Sequence, residues 1–443
     1  MNLSGLSYTR LAAGGGISLR LGATTKRILK PETVQLQRNT TMEAIRKHLP
    51  ESWSLVLSAF AAAYGIGLLA LLALPYMISA VISDLGLDEA QAGYLLSAEF
   101  MCMMLASLLV APLMGRAPRK TMALLGAAIA VIGNLMSAHI TDITSLTLMR
   151  CLVGAGCGLA FACGNATVSS ARDPDNVAGY MNLFFVAMMT VVMVTFASAM
   201  AEGGLAGVYY ALAITQAIMM LPVFLMKQKA STESHPHHHI GSNKKLMSGA
   251  AIAIMVATFL FSTRDTMGWA FVEQVGVRVG YDGETLGFLF SLQALVGLVG
   301  PLAVAVIGKR LGVGTPVILG ILLTGASSLF YVLGETSKLM YTIGVMAIAA
   351  TYFYTLAYLT SLAAFLDSEG RLAAACGAFL TLGIAVGPSI SGTLISWGGY
   401  TATAWGIAIA VGLTLVAVMI PLAHAKERHE AVTAAMAEVN ATS

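Results

Sequence analysis

Five ionisable side chains interrupt stretches that are otherwise almost wholly apolar: Glu99, Arg150, Arg264, Asp265 and Glu273. A charge at the middle of a membrane helix costs about 2.5–3.5 kcal/mol on insertion scales, so each is a candidate for function. Glu99 falls about eight residues into its apolar run, some 12 Å of helix rise. Arg150 falls about six residues into another run that starts on the same side, so the two depths agree to within a turn. Burial and a neighbouring arginine act on a carboxyl in opposite senses, which suits it to taking up and releasing a proton. Glu99 is therefore the favoured proton carrier, with Arg150 as its partner or as a contact for an anion; a static ion pair is the alternative. Arg264 and Asp265 interrupt FLFSTRDTMGW. Adjacent helical residues point about 100° apart, so the two are not expected to pair with each other. Asp265 is the second proton or substrate candidate and Arg264 a substrate contact. The competing reading ends that span near Phe261, puts the pair at the surface and makes Trp269 and Phe271 an interfacial belt. Glu273 is expected outside.

Neutral polar groups in the same runs offer a solute path. The candidates are Tyr64, Asn165, Gln293, Tyr354 and Tyr358, with Asn134, Asn182 and Gln216 as further polar groups. Tyr354 and Tyr358 share one helix face at i, i+4. Amides in membrane helices also hold helices together, so each is open to a packing reading. Pro75 after Gly65 and Gly67 predicts a bent first span.

The elements that carry these residues are transmembrane helices. The chain has 443 residues, 57% of them hydrophobic and 11% charged. Soluble domains carry about 25% charge, so a water-soluble globule is excluded. The apolar runs are continuous rather than alternating, which excludes a transmembrane barrel. Twelve spans are expected, at 53–82, 91–114, 121–139, 144–169, 179–201, 206–226, 247–274, 285–307, 314–333, 339–366, 372–396 and 402–424. A polar insert at 227–246 separates two sets of six, 51–226 and 247–424. The segment 1–50 reads as a basic cytoplasmic tail, with a transit peptide or a start at Met42 as alternatives, and 425–443 as a second cytoplasmic tail. With both termini and the insert inside, 21 Lys and Arg lie inside and only Arg278 and Lys338 outside. That asymmetry satisfies the positive-inside rule and favours an even number of spans.

The net charge of +3 argues against a nucleic-acid partner. The five cysteines show no CxxC spacing, and His235, His237, His238 and His239 lie in the polar insert without cysteine ligands. No metal, cofactor or enzyme motif is expected.

An internal repeat runs at an offset of 194: Gly93 matches Gly287, Ser97 matches Ser291, Arg116 matches Arg310, Gly126 matches Gly320, and Glu99 falls opposite Gln293. Parallel six-span repeats place a binding site between the halves near the bilayer midplane. GRAPRK, with Arg116, Arg119 and Lys120, and MRCLVGAGCG, with Arg150, Gly154 and Gly156, resemble the major facilitator superfamily over roughly 50–425. The first signature departs from the family pattern at Gly115, Pro118 and Ala111. The span-five Gly-Pro of its antiporters is missing; a comparable run, Gly383, Gly387, Pro388 and Gly392, stands in span eleven.

The resemblance implies an all-α fold of twelve helices in two pseudo-twofold bundles, moving a small organic solute by alternating access. Arg116, Arg119, Lys120 and Arg310 would take part in gating. Transport driven by a proton gradient, as symport, or by the solute's own gradient is expected, with an organic anion as leading substrate. Efflux of amphipathic compounds is the alternative, and a membrane-embedded enzyme or scaffold the non-transport one. The expected setting is a bacterial inner membrane, with lipids as neighbours and the protein a monomer.

Overall fold

The computed structural model describes residues 52–171, 173–228, 248–307, 312, 314–367 and 371–442. The segment 1–50, the insert from 229 and Arg310 lie outside the described residues, as do the side chains from 427 onward. All described residues belong to one unit that begins at Ser52.

Among the described residues, ten helices are long and apolar enough to span a membrane. Eight cross once: α1 (Trp53–Leu85), α2 (Glu89–Leu113), α3 (Arg119–Ser137), α4 (Ile143–Ser169), α7 (Gly249–Arg278), α8 (Gly283–Ile307), α9 (Gly314–Thr336) and α10 (Lys338–Leu366). The other two are hairpins. Pro174–Val223 would be about 75 Å long as a straight helix, against an apolar bilayer core of about 30 Å. Gly204 breaks it with φ 53°, ψ −139°, and the chain folds back so closely that Gly207 packs on the Ala199 carbonyl. α5 is therefore 174–203 and α6 is 205–223. The helix from Arg371 is broken in the same way by Gly398 and by Gly399 at φ 66°. The Thr403 hydroxyl then reaches the Ser391 carbonyl across the turn. α11 is 371–397 and α12 is 400–426, which makes twelve crossings. Only glycine adopts such positive φ values at little cost, so these two residues permit turns with almost no loop.

The four single-crossing helices that start on the face of loops 86–88 and 279–282 are capped from their own side chains. Asp88 and Gln91 form a capping box on α2, Asp142 accepts from Ser145 N on α4, Asp282 accepts from Thr285 N on α8, and Ser337 accepts from Met340 N on α10. Each satisfies a backbone donor that the helix leaves open. The donated N–H groups hold the Asp142 and Asp282 carboxyls below the ordinary aspartate range.

Helices α1–α6 pack as one bundle and α7–α12 as another. The glycines of the span-four signature explain the first: Gly154 lies on the Glu99 carbonyl, Gly158 on the Met103 carbonyl, and Gly156 on the Gly126 carbonyl, so α4 meets α2 and α3 backbone to backbone. The glycines of α11 do the same against α7 and α2: Gly383 meets the Phe259 carbonyl, Gly387 meets Thr266 and Gly392 meets the Glu89 carbonyl.

The repeat reappears as a pair of matching contacts between bundles. Gly93 of α2 packs on Pro388 and Ser389 of α11, and Gly287 of α8 packs on Met193 and Ala197 of α5. Ser97 accepts from Ser389 N at 2.9 Å, while its counterpart Ser291 donates to the Thr190 carbonyl at 2.5 Å. Tyr94 and Thr393 join hydroxyls at 2.8 Å, and Arg278 approaches Glu89 to 3.7 Å. Among the described residues, the hydrogen bonds and ion pairs joining the bundles lie between mid-membrane and the face of loops 86–88 and 279–282. That face is closed. Among the described residues, no such bond joins the bundles at the face carrying the ends of the described chain.

α1 is irregular where the sequence predicts a bend, but ahead of Pro75. Residues Ala61–Gly67 form a π-helical turn, and Leu68 leaves the helical region at φ −100°, ψ 3°. The wide turn lies beside Gly65, which packs on the Met219 side chain, and Gly67, which packs on Phe161.

Candidate functional site: a mid-membrane cleft between the bundles

The two arginine–carboxylate pairs are built differently. In the first bundle Arg150 on α4 grips Glu99 on α2 with both arms: Nε donates to Oε2 at 3.0 Å and Nη2 donates to Oε1. Nη1 donates to Asn134 Oδ1 on α3 at 2.6 Å, and the guanidinium lies 4.8 Å over the Tyr209 ring on α6. Asn134 Nδ2 donates to Gln216 Oε1 at 2.8 Å, and Gln216 Nε2 donates to the Ile66 carbonyl of α1 at 3.2 Å. Five helices thus meet on one ion pair whose side chains are 0% and 2% exposed. The expected proximity of Glu99 and Arg150 is met, inside the bundle rather than on the cleft.

The second pair sits on one helix. α7 continues through Arg264 and Asp265 to Trp269, so the reading that ended it near Phe261 is set aside. The pair also contradicts the expectation that neighbours on a helix would not meet. Arg264 Nη1 curls back to 3.5 Å from Asp265 Oδ1, beyond the usual length of a strong charge-assisted bond. Its main partners are Ser328 Oγ at 2.8 Å and the Thr324 carbonyl at 3.3 Å, both on α9. The Phe261 ring lies 4.9 Å below the guanidinium, and Nη2 has no hydrogen-bond partner among the described residues. Arg264 is sealed, but the Asp265 side chain keeps 20% of its surface exposed.

Asp265 is one helical turn from Trp269, whose indole donates to the Leu71 carbonyl of α1 at 2.9 Å. Trp269 is thus a buried closure between bundles, not part of an interfacial belt. On the side of that closure away from loops 86–88 and 279–282, Asp265 comes within electrostatic reach of Tyr352 on α10, and Tyr352 within reach of Tyr64 on α1. Tyr352 stacks on Phe261 at 5.1 Å and 20°. Phe353 meets Phe185 of α5 edge-on at 6.4 Å, across the two bundles. Tyr64 sits in the π-turn and donates to Asn182 Oδ1 at 3.4 Å. A carboxylate among aromatic walls results. Sequence reasoning missed Phe185, Phe261, Tyr352 and Phe353: YFYTLAY holds three tyrosines at 352, 354 and 358, and nothing in the spacing picks out Tyr352.

The other candidates are distributed as follows. Asn165 is exposed on the part of α4 nearest the open face. Gln293 is buried within α8, its Oε1 without a partner among the described residues. Tyr354 and Tyr358 lie in the packed core of the second bundle, rings 5.0 Å apart, beside Ile321 and Leu359. Arg119 is buried at the α2–α3 turn and donates to the Met114 and Ala166 carbonyls at 2.8 and 2.9 Å and to Ser170 Oγ at 2.6 Å. It ties that turn to the end of α4. Arg116 is exposed, and Lys120 stands 5.7 Å from the Phe224 ring. Arg310 lies outside the described residues. Glu273, expected outside, is buried in the seam between bundles.

A search of curated proteins gives no significant match. Among solved structures, the fold is similar to that of a bacterial homolog of the human lysosomal transporter Spinster in an inward-facing, unoccupied conformation. The identity is 15%, 84% of this chain and 95% of that one are covered, and the TM-score is 0.62. It is similar to the nucleoside transporter NupG, at 12% identity, with 84% and 98% covered and a TM-score of 0.62. It is also similar to a D-xylose–proton symporter, at 11% identity, with 83% and 95% covered and a TM-score of 0.63. At these identities the likeness is one of fold. The family profile carries more: it matches residues 55–263 and again 254–439, one match on each bundle of the repeat. The chain, with twelve crossings among its described residues in two equivalent bundles, therefore belongs to the Major Facilitator Superfamily.

Proposed function

We propose that the protein is a proton-coupled secondary transporter of a small organic solute, working by alternating access. The cleft would open in turn to either side as the bundles rock about the α1–α7 closure. With both termini cytoplasmic, as the charge asymmetry favours, the arrangement described is inward-facing. The observation that carries this reading is the exposure of Asp265. Among the described residues, it is the one member of the two mid-membrane ion pairs whose side chain keeps a fifth of its surface exposed, one turn from the α1–α7 closure. A carboxylate there can exchange a proton with the open side and present its charge to cargo. The proton-coupled fold relative adds support. Glu99 is the second proton candidate, reached only when its pair with Arg150 parts.

The cleft offers cargo a carboxylate and aromatic rings, and both arginines are turned inward. This favours a neutral or cationic solute over the organic anion suggested by counting arginines. The aromatic walls Tyr64, Phe185, Tyr352 and Phe353 also suit amphipathic compounds, so efflux of such compounds is the second reading.

The test begins with a thermal-shift screen of organic acids, amphipathic cations and neutral polar solutes, since a ligand of the folded state raises apparent stability. The solute so found is then followed in proteoliposomes. Asp265→Asn is expected to abolish accumulation driven by a proton gradient and to retain counterflow exchange. Accumulation against a gradient by Asp265→Asn rejects the assignment.

A further inference from the structure

Glu273 is a buried carboxyl that the reading above does not use. It follows an irregular step in α7, where Phe271 leaves helical geometry at φ −111°, ψ 8° and a short helix, Val272–Arg278, begins. Its side chain enters the seam between bundles and accepts a hydrogen bond from Ser79 of α1. Ser79 and Glu273 are 194 residues apart, the offset of the repeat, so they are equivalent positions meeting at the pseudo-twofold axis.

The groups around it are mostly neutral; the charged ones are Arg278 and Glu89, and Glu335 at the end of α9, which shares the surroundings of Tyr400 with Glu273. α1 contributes Ser79 and Tyr76, whose hydroxyl is committed to the Met193 carbonyl at 3.0 Å. α10 contributes Tyr341, whose hydroxyl donates to the Val272 carbonyl at 2.8 Å. α12 contributes Tyr400, which donates to Gln274 Oε1 at 3.0 Å. Arg278, on the same short helix, is turned away over the Tyr400 ring at 4.6 Å and towards Glu89 of α2 at 3.7 Å. Among the described residues no cation lies within ion-pair distance of Glu273. Glu99 and Asp265 each have an arginine; Glu273 has a single hydroxyl donor. One such bond is far too little to offset the burial of an ionised carboxylate, whereas a protonated carboxyl is accommodated.

We infer that Glu273 is a proton-binding site that latches the closed face: with its proton it bridges α1 and α7 through Ser79, and opening that face lets water in and the proton out. Closure binds one proton from the medium on that side and opening returns it, with no other bond made or broken. This inference rests on alternating access as proposed above, but not on Asp265 as the carrier. It gives the latch a sign: acid on the closed-face side holds it shut, and alkali favours opening. With one proton linked, the ratio of closed to open forms changes by at most about tenfold per pH unit.

The test needs no solute. Spin labels on the full chain at the exposed positions Ser83 and Val277, near the ends of α1 and α7, report the width of the seam by pulsed dipolar spectroscopy. Between about pH 5.5 and about pH 8.5, spanning the usual carboxyl and perturbed ranges, the wild-type distance distribution is expected to gain a longer component. Glu273→Gln should stay short throughout. Ser79→Ala, which keeps the acid but loses its bridge, should keep the pH response with more of the long component at every pH. A Glu273→Gln protein that lengthens with pH as wild type does would overturn the latch and leave alternating access standing. A wild-type distance that never lengthens would overturn both.

Discussion

The two mid-membrane ion pairs occupy comparable depths in related bundles, yet they are built differently. Glu99 and Arg150 come from separate helices, bind through two hydrogen bonds and are anchored by Asn134, Gln216 and Tyr209. Arg264 and Asp265 are neighbours on one helix, touch loosely, and divide their attention between Ser328 and the cleft. Glu99 falls opposite Gln293, so the second bundle lacks the carboxylate of the first pair. At the position equivalent to Asn134 stands Ser328, and it holds a guanidinium as Asn134 does, but one that arrives from α7. A satisfied pair stiffens a bundle; a half-satisfied one leaves a carboxylate free to change state.

The sharpest break of this comparison is Arg150→Leu. It strands a buried carboxylate, and loss of one partner of a buried pair costs about 3–5 kcal/mol. Thermal unfolding of purified protein should show a large loss, and the double variant Glu99→Leu/Arg150→Leu should regain most of it. A double variant no more stable than the single one would mean that the pair does more than neutralise itself. Next in size is Gly154→Leu, which drives a side chain into the Glu99 carbonyl where α2 and α4 touch; overpacking of this kind costs about 1–3 kcal/mol. Arg264→Leu should cost less than Arg150→Leu, about 1–2 kcal/mol, because the bonds to α9 are lost but Asp265 keeps access to water. Equal losses for the two arginines would erase the distinction drawn here. The smallest effect on stability is expected from Asp265→Asn, within about 0.5 kcal/mol of wild type, alongside the loss of gradient-driven accumulation. A large drop in stability instead would move Asp265 to the structural side of the comparison.

Much of the scaffold was legible from local patterns. The apolar runs placed each crossing to within a few residues, and the repeat pairs Gly93/Gly287 and Ser97/Ser291 proved to be the matching contacts between bundles. The turns at Gly204 and at Gly398–Gly399 fall in the gaps expected between spans. The site was less legible. Glu99 and Arg150 were found by the rarity of charge in apolar helices, and their depth agreed with their pairing. The same rarity did not tell which charge meets the cleft. Glu273 lies near the polar end of its run, and only the packing of α1 against the short helix at 272–278 buries it. Tyr352 differs from Tyr354 and Tyr358 by the face of α10 on which it lies; one tyrosine stacks on Phe261 at the cleft while the others join the core.

Hydropathy, charge placement and glycine spacing are properties of short stretches, and the bilayer translates them directly. An apolar run of given length must become a helix, because its backbone groups have no water to bond, and basic loops bias which way it is threaded. Those constraints suffice for the helices, their number and the twofold plan. Which carboxyl is paired within a bundle, which is partly exposed and which is trapped between bundles depends on partners tens to hundreds of residues away. Solvation varies over a few ångströms across a packed interface, and that distance is set by how the helices lean on one another, not by any stretch read alone.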